Sequence, residues 1–228
     1  MKPKDIKTYY RLSLPHLQPT CAPFFVTFRL HGSIPRIKLF QLRQEFEESV
    51  ARIRAEGSSI QNELIAGEQE RCFIEYDKLL HTIQSGPHYL RQPEIAQMVK
   101  KELHRFDGVL YDLICYCVMS NHVHILIDTA IQITEDASQC EFENMDFEPL
   151  QNIMKRIKGP TAVYANRMLK RSGKFWQRES YDRYVRNEIE ARNTVAYILD
   201  NPVKAKLTDD WRKYPHSYFK SISRADSY

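Results

Sequence analysis

Residues 117–127 read CVMSNHVHILI, two apolar runs around a short polar stretch. The pattern predicts two strands, Val109–Val118 and His122–Asp128, with a turn at Met119–Asn121. Side chains two residues apart in a strand point to the same face. We therefore expect His122 and His124 to stand side by side, while the apolar residues that alternate with them enter a core.

A His-x-His pair has two interpretations. Two imidazoles on one face of a rigid strand can form half of a divalent metal site. An ordinary polar strand face is the commoner explanation for such a pair. A second group of polar residues further along the chain favours the metal site.

That second group lies in a predicted helix, 187–200, with acidic residues in its first turn and Pro202 just past its end. The apolar residues of this helix share one face: Ala191, Val195, Ile198 and Leu199. Tyr197 falls nearly opposite the middle of that stripe, between Asn193 and Asn201. The spacing predicts a tyrosine on the polar side of the helix rather than in the core.

A basic segment lies between these two groups in sequence. From Lys155 to Arg186 there are ten Lys or Arg and two acidic residues. Basic side chains neutralise phosphates, and the aromatic rings interleaved with them can stack on unpaired bases. A solvated helix face is the alternative, and for Trp176 a core anchor is at least as good an explanation. The predicted DNA-binding residues are Lys155, Arg156, Lys158, Arg167, Lys170, Lys174, Trp176, Arg178, Arg183 and Arg186.

Three motifs together resemble the REP-associated tyrosine transposases, single-tyrosine relatives within the HUH endonuclease group. They are HVH at 122–124, WQ at 176–177 and YILDNPVKA at 197–205. The likeness covers Phe24–Phe28 and then about 111–211. Ser120 stands where family members often carry proline. The stretch at about 42–106 is a long insertion that a minimal member lacks.

The resemblance implies an α+β fold: a ferredoxin-like antiparallel sheet flanked by helices, with a helical insertion after the first strand. We expect residues 1–228 to form a single HUH transposase-like domain, with the insertion at about 42–106. From the residues themselves, Pro23–Leu30 is predicted to be a strand. Glu148–Arg171 is predicted to be two helices or one kinked helix, because Gly159 and Pro160 interrupt it. Further helices are predicted over Ile37–Glu56, Gln61–Gln84 and Pro93–His104.

The resemblance also implies an activity. A member of this family would be a metal-dependent endonuclease and strand transferase acting on single-stranded hairpin or palindromic DNA through a 5′-phosphotyrosine intermediate. Tyr197 would be catalytic, and His122, His124 and Asn201 would bind Mg²⁺ or Mn²⁺. Such a nickase and ligase, used in transposition and DNA recombination, would act as a monomer or a homodimer.

Two other functions stay open. A domesticated, non-catalytic nucleic-acid-binding protein would keep the basic surface without cleavage. A metal-dependent hydrolase would use the two histidines with water and leave no covalent adduct. Tyr181 and Tyr184 are rival nucleophiles, but neither has an asparagine four residues later.

Composition narrows the class further. A chain of 228 residues with 43% hydrophobic content can bury one substantial core. No apolar run approaches the roughly 18 residues of a membrane span, and Met1–Asp5 lacks the apolar segment of a signal peptide. We therefore expect no membrane association and a cytoplasmic location. Five cysteines without Cys-x-x-Cys spacing fit a reduced setting: Cys21, Cys72, Cys115, Cys117 and Cys140.

Some residues receive no specific role from the sequence. Cys115 and Cys117 alternate within a predicted strand, and we interpret them as buried thiols, with zinc ligation as a minor alternative. Tyr9–Arg11 is either a DNA-contacting arm or an edge strand. The remaining histidines lack ligand spacing, and we interpret them as structural or surface residues: His16, His31, His81, His88, His104 and His216.

Overall fold

A computed structural model describes residues 7–11, 15–19, 21–133 and 147–220. The strands of these ranges are β1 Lys7–Arg11, β2 Pro15–Pro19, β3 Pro23–Arg29, β4 Asp112–Val118, β5 His122–Asp128, β6 Tyr181–Tyr184 and β7 Ser217–Phe219. The helices are α1 Arg36–Glu56, α2 Gln61–Thr82, α3 Pro93–His104, α4 Leu150–Met168 and α5 Glu188–Lys204. Short 3-10 turns occur at Tyr89–Arg91, Ala130–Gln132 and Trp211–Lys213.

Five strands form one antiparallel sheet in the order β6-β3-β5-β4-β7. Helix α3 lies in the connection from β3 to β4, and α4 in the connection from β5 to β6. This β-α-β-β-α-β order with β3 and β5 at the centre is the ferredoxin-like arrangement, to which β7 adds an edge strand. The predicted α+β fold with a ferredoxin-like sheet is confirmed.

Both faces of this sheet are buried. On one face, side chains such as Phe24, Phe28 and Ile125 pack against α3 and α4. On the other, Phe25 and Leu126 pack with apolar residues of α2 and α5. Alternate residues of a strand face opposite sides of the sheet, so the side chains on both sides of β5 are buried. Burial of each large apolar side chain there contributes roughly 1.5–3 kcal/mol to stability.

The β-hairpin predicted from residues 117–127 is present. Strands β4 and β5 pair antiparallel, and Met119 donates its backbone N–H to the carbonyl of His122 across the turn. The first strand of the pair begins at Asp112 rather than at 109, and a bulge interrupts it between Leu113 and Cys115. Cys115 and Cys117 are buried free thiols, as predicted.

Two predicted helix boundaries differ from the structure. The segment predicted as two helices or one kinked helix contains one continuous helix, α4, with Pro160 inside it, so the two-helix alternative is wrong. Pro160 cannot donate to the carbonyl of Arg156, but Arg156 is exposed, so water can satisfy that group. Helix α5 continues through Pro202 to Lys204 instead of ending before the proline. Burial of Pro202 against the core offsets the backbone hydrogen bond that it cannot make.

The remaining differences concern short elements. Strand β6 was not predicted, and β1 pairs with β2 in a separate two-stranded sheet that contains Tyr9–Arg11, in line with the edge-strand alternative. Helices α1, α2 and α3 lie close to their predicted ranges. That residues 42–106 are an insertion relative to the family stays a prediction. Cys140 lies outside the described residues. Within the described ranges, no helix is long and apolar enough to cross a membrane.

Candidate metal and catalytic site

His122 and His124 lie on the face of β5 that packs against α2 and α5. Their Nε2 atoms are 3.0 Å apart, and both side chains are buried. Each ring is held at its other nitrogen. Nδ1 of His122 is 2.6 Å from Oδ1 of Asn121, and Nδ1 of His124 is 2.7 Å from Oγ1 of Thr27, its cross-strand neighbour on β3. The Nε2 atoms therefore remain free to face a common point.

Asn121 sets the tautomer of His122. Its Nδ2 donates to the backbone carbonyl of Leu80 at 2.9 Å, so its Oδ1 is left to accept from Nδ1–H of His122. Nε2 of His122 then carries a lone pair. Burial, with a smaller effect of His124, holds the pKa of His122 well below its ordinary value. His122 is thus a neutral imidazole in the form that binds metals.

Helix α2 adds two more ligand-type side chains to the pair. Asp77 and His81 are one helical turn apart, and the same side of α2 packs Phe73, Tyr76 and Leu80 into the core. Oδ1 of Asp77 is 3.2 Å from Nε2 of His124, and Oδ2 is 3.3 Å from Nε2 of His81. One ligand atom from each of four residues, hereafter the Asp–His cluster, lies within 4.8 Å of all the others: Asp77, His81, His122 and His124.

The histidines govern the charge of Asp77. Burial alone would raise the pKa of this carboxyl group, but hydrogen bonds from His124 and His81 outweigh that effect. The pKa of Asp77 is consequently held well below its usual range. The cluster therefore contains one carboxylate among three imidazoles, a donor set suited to a divalent cation.

Half of this cluster is not predicted from the sequence. His81 is expected to be a structural or surface residue, and Asp77 has no predicted role. The available signal was their spacing of four residues on a helix, which places two side chains on one face. This spacing does not indicate against which strand that face of the helix packs.

Tyr197 projects from α5 toward the same cluster. Its ring centroid is 5.6 Å from that of His124, 5.8 Å from Phe25 and 5.7 Å from Phe73. Burial, and then the negative charge of Asp77, raise the pKa of Tyr197 far above its ordinary value. The predicted placement on the polar side of α5 rather than in the core is wrong, because Phe73 of α2 and Phe25 of β3 pack against the ring.

Asn201 reaches the edge of the cluster from the next turn of α5. Its Nδ2 donates to the carbonyl of Tyr197 at 2.9 Å, and its Oδ1 lies 2.9 Å from Nε2 of His81. Asn193, the other carboxamide beside the tyrosine in sequence, is exposed. Nζ of Lys204 lies 5.2 Å from the Tyr197 ring centroid. The structure thus brings the predicted His122, His124, Tyr197 and Asn201 together.

The predicted DNA-binding residues do not form one surface. A cleft of about 770 Å³ beside α4 is lined by Lys155, Lys158, Lys174 and Arg178, and Trp176 also borders it. A second cleft, of about 780 Å³, lies between α2, β6 and the start of α5, and Arg183 and Arg186 line it together with Glu63, Glu70 and Glu190. Arg167 and Lys170 are exposed outside both clefts.

Several of these residues are engaged within the protein. Arg156 pairs with Glu148 at 2.6 Å, and Arg183 pairs with Glu190 at 3.0 Å. Nζ of Lys158 donates to the carbonyl of Arg178 at 2.9 Å and to the hydroxyl of Ser180 at 3.1 Å. Burial, followed by the nearby charge of Arg29, lowers the pKa of Lys158 to about 8.

Trp176 is a core residue. Only 6% of it is exposed, its Nε1 donates to Oγ1 of Thr161 at 2.8 Å, and its ring packs edge-on against Phe28 and Phe175. The ring faces are therefore not open to a base. This geometry favours the core-anchor interpretation over the predicted stacking on DNA.

The rival nucleophiles are less well placed. Tyr181 stacks on Phe73 with 4.4 Å between ring centroids, and burial raises its pKa strongly. Tyr184 lies under the guanidinium of Arg186 at 5.7 Å. Of the three candidate tyrosines, Tyr197 has its ring in contact with the Asp–His cluster.

These features define a class: a ferredoxin-like α+β protein with paired strand histidines and a helical tyrosine at one site. No family model matches the chain. It is similar to a Haemophilus influenzae protein named "Putative REP-associated tyrosine transposase", with 22% identity over 118 residues. The match covers 52% of this chain and 64% of that protein. This similarity confirms the resemblance that the motifs of the chain predicted.

A solved structure is also similar to this chain. It is described as a REP-associated tyrosine transposase bound to a REP hairpin, with a TM-score of 0.48 and 15% sequence identity. The similarity covers 92% of this chain and 81% of that one.

Proposed function

We propose that this chain is a transposase-type enzyme that cleaves and rejoins single-stranded hairpin DNA through a covalent bond to Tyr197. The observation that carries the proposal is the contact of Tyr197 with His124 in a cluster of metal-ligand type. A phenol needs help to become a nucleophile at neutral pH. The site places that phenol beside the groups that can provide the help.

The residues at the site fit a divalent cation. Nε2 of the neutral His122 and Nε2 of His124 face each other at 3.0 Å and supply nitrogen ligands. His122 and His124 would hold the ion from the sheet, with Asn201 at the edge of the cluster. When bound, a cation of this kind polarises a phosphate oxygen and orients the phosphodiester.

The remaining chemistry belongs to Tyr197. Its phenolic oxygen forms a bond to phosphorus, the bond from phosphorus to the 3′ oxygen breaks, and a 3′-OH leaves. The product is a 5′-phosphotyrosine that a 3′-OH can attack later, which regenerates the tyrosine and a phosphodiester.

The cleft beside α4 is the proposed DNA-binding surface. Lys155, Lys174 and Arg178 are exposed there and can neutralise phosphates. Single-stranded or hairpin DNA is the proposed partner, and the cytoplasmic location and the monomeric or homodimeric state stay predictions.

The test is a denaturing gel of purified chain mixed with labelled hairpin oligonucleotide libraries and Mn²⁺ or Mg²⁺. We expect a protein–DNA adduct that EDTA prevents and that Tyr197→Phe abolishes. Tyr184→Phe is the matched control and should leave the adduct in place.

Other results would select the alternatives. Metal-dependent cleavage that persists in Tyr197→Phe without an adduct would indicate a hydrolase that uses water. Hairpin binding with no cleavage by the wild type would indicate a non-catalytic nucleic-acid-binding protein.

A further inference from the structure

Helix α2 supplies half of the Asp–His cluster, and its residues lie outside the motifs of the family resemblance. We propose that Asp77 and His81 are metal ligands, so that α2 completes the site that His122 and His124 begin. The role of the metal in this proposal rests on the proposed function. Metal binding itself can be measured without DNA.

The donor atoms are spaced as neighbouring ligands are. Nε2 of His124 lies 3.0 Å from Nε2 of His122 and 3.2 Å from Oδ1 of Asp77. The other oxygen of Asp77, Oδ2, lies 3.3 Å from Nε2 of His81. Bonds of about 2.0–2.2 Å to one cation place neighbouring ligand atoms about 3 to 3.5 Å apart. These three distances therefore match neighbouring ligands of one ion, and the remaining pairs of ligand atoms lie within 4.8 Å of one another.

The position of α2 is fixed by the residue that orients the histidine pair. Asn121 accepts from His122 and donates to the carbonyl of Leu80, which lies between Asp77 and His81 in sequence. Any shift of α2 relative to the hairpin would strain that bridge. The two halves of the cluster are consequently held at a defined separation, as a preorganised metal site requires.

The composition of the cluster also indicates which ion it prefers. Mg²⁺ favours oxygen ligands and retains several waters, whereas imidazole suits later divalent metals. Three imidazoles and one carboxylate therefore favour Mn²⁺, Co²⁺ or Zn²⁺ over Mg²⁺. A site formed by His122, His124 and Asn201 without α2 would have two nitrogen ligands and one oxygen ligand, instead of three nitrogen ligands and one oxygen ligand.

The same contacts allow a competing account. The cluster could be a hydrogen-bonded network in which His81 donates to Asn201 and Asp77 accepts from His124, with no ligand role for α2. In that case α2 would only cover the histidine pair. The two accounts differ in what the removal of Asp77 or His81 does to metal affinity.

The experiment is isothermal titration of the full chain, stripped with EDTA and dialysed, with Mn²⁺, Co²⁺ and Mg²⁺. We expect one Mn²⁺ or Co²⁺ site per chain and weaker Mg²⁺ binding. Asp77→Asn and His81→Gln should each weaken Co²⁺ binding by about tenfold or more. The controls Glu75→Gln and His104→Gln change the same chemical groups outside the cluster and should bind as the wild type does.

Each other outcome overturns the proposal in a recognisable way. Wild-type affinity in both α2 variants, with binding lost in His122→Gln, would leave a metal site without α2 and would leave the proposed cleavage intact. Absence of cation binding by the wild type would show that the Asp–His cluster is not a metal site. The protein–DNA adduct gel with and without EDTA would then test the proposed function separately. Should Asp77→Asn fail to fold, His81→Gln decides alone, since its side chain is 25% exposed.

Discussion

Replacing Asn121 with alanine tests the bridge between α2 and the histidine hairpin. Two buried hydrogen bonds disappear, one to the carbonyl of Leu80 at 2.9 Å and one to Nδ1 of His122 at 2.6 Å. A buried polar group left without a partner costs about 1–3 kcal/mol. The expected loss is therefore about 2–6 kcal/mol in the free energy of unfolding.

The assay is urea unfolding in EDTA, followed by circular dichroism, so that metal binding does not contribute. Asn166→Ala is the matched control. Asn166 also makes two side-chain hydrogen bonds, to Gly173 and Arg171, but they lie at the surface, where water can replace them. We expect that variant to lose less than about 1 kcal/mol.

Unfolding of Asn121→Ala and Asn166→Ala at the same urea concentration with the same slope would contradict this expectation. That result would mean that the α2 bridge carries no net energy. The variant also bears on the cluster, because an unsupported His122 ring should bind Co²⁺ about 10–100-fold more weakly.

Two further predictions concern the basic segment. Unfolded Lys158 keeps its proton to a pKa of about 10.4, whereas in the fold burial lowers the pKa to about 8. Between these values Lys158 therefore binds more protons in the unfolded chain, and its contribution to stability should rise with pH there by up to about 3 kcal/mol. The difference in unfolding free energy between the wild type and Lys158→Met should grow accordingly in urea titrations at pH 7, 8.5 and 10, and parallel curves would contradict it. Trp176→Phe should lower the free energy of unfolding by about 1–3 kcal/mol and leave the affinity for hairpin DNA unchanged. Weaker hairpin binding at unchanged stability would instead indicate that the Trp176 ring stacks on a base.

The sequence predicts the parts of the fold that local pattern decides. The alternation in β4 and β5 and the helical spacing of α1 to α3 are visible without tertiary information. Strand β6 is not, because four residues containing Asp182 and Arg183 carry no clear alternation. It forms because β3 offers it a partner edge.

The candidate site was predictable only on the sheet and on α5. The histidine pair and Tyr197 lie in motifs that can be recognised along the chain. Asp77 and His81 join them through the packing of α2 on the sheet, which no local pattern encodes. The predicted orientation of Tyr197 is wrong for the same reason. Helical spacing gives the angle between side chains on α5 but not which elements pack against each side of the helix.

The burial of both sheet faces has a consequence for recognition. Some nucleic-acid-binding folds present an open sheet on which bases lie flat. Here helices occupy both of those surfaces, so the central strands have no free platform to offer. Substitutions of the apolar residues in β3 and β5 should therefore change whether the chain folds. Under the proposed function, exposed residues of α4 and of the segment that follows it would instead change which DNA is bound.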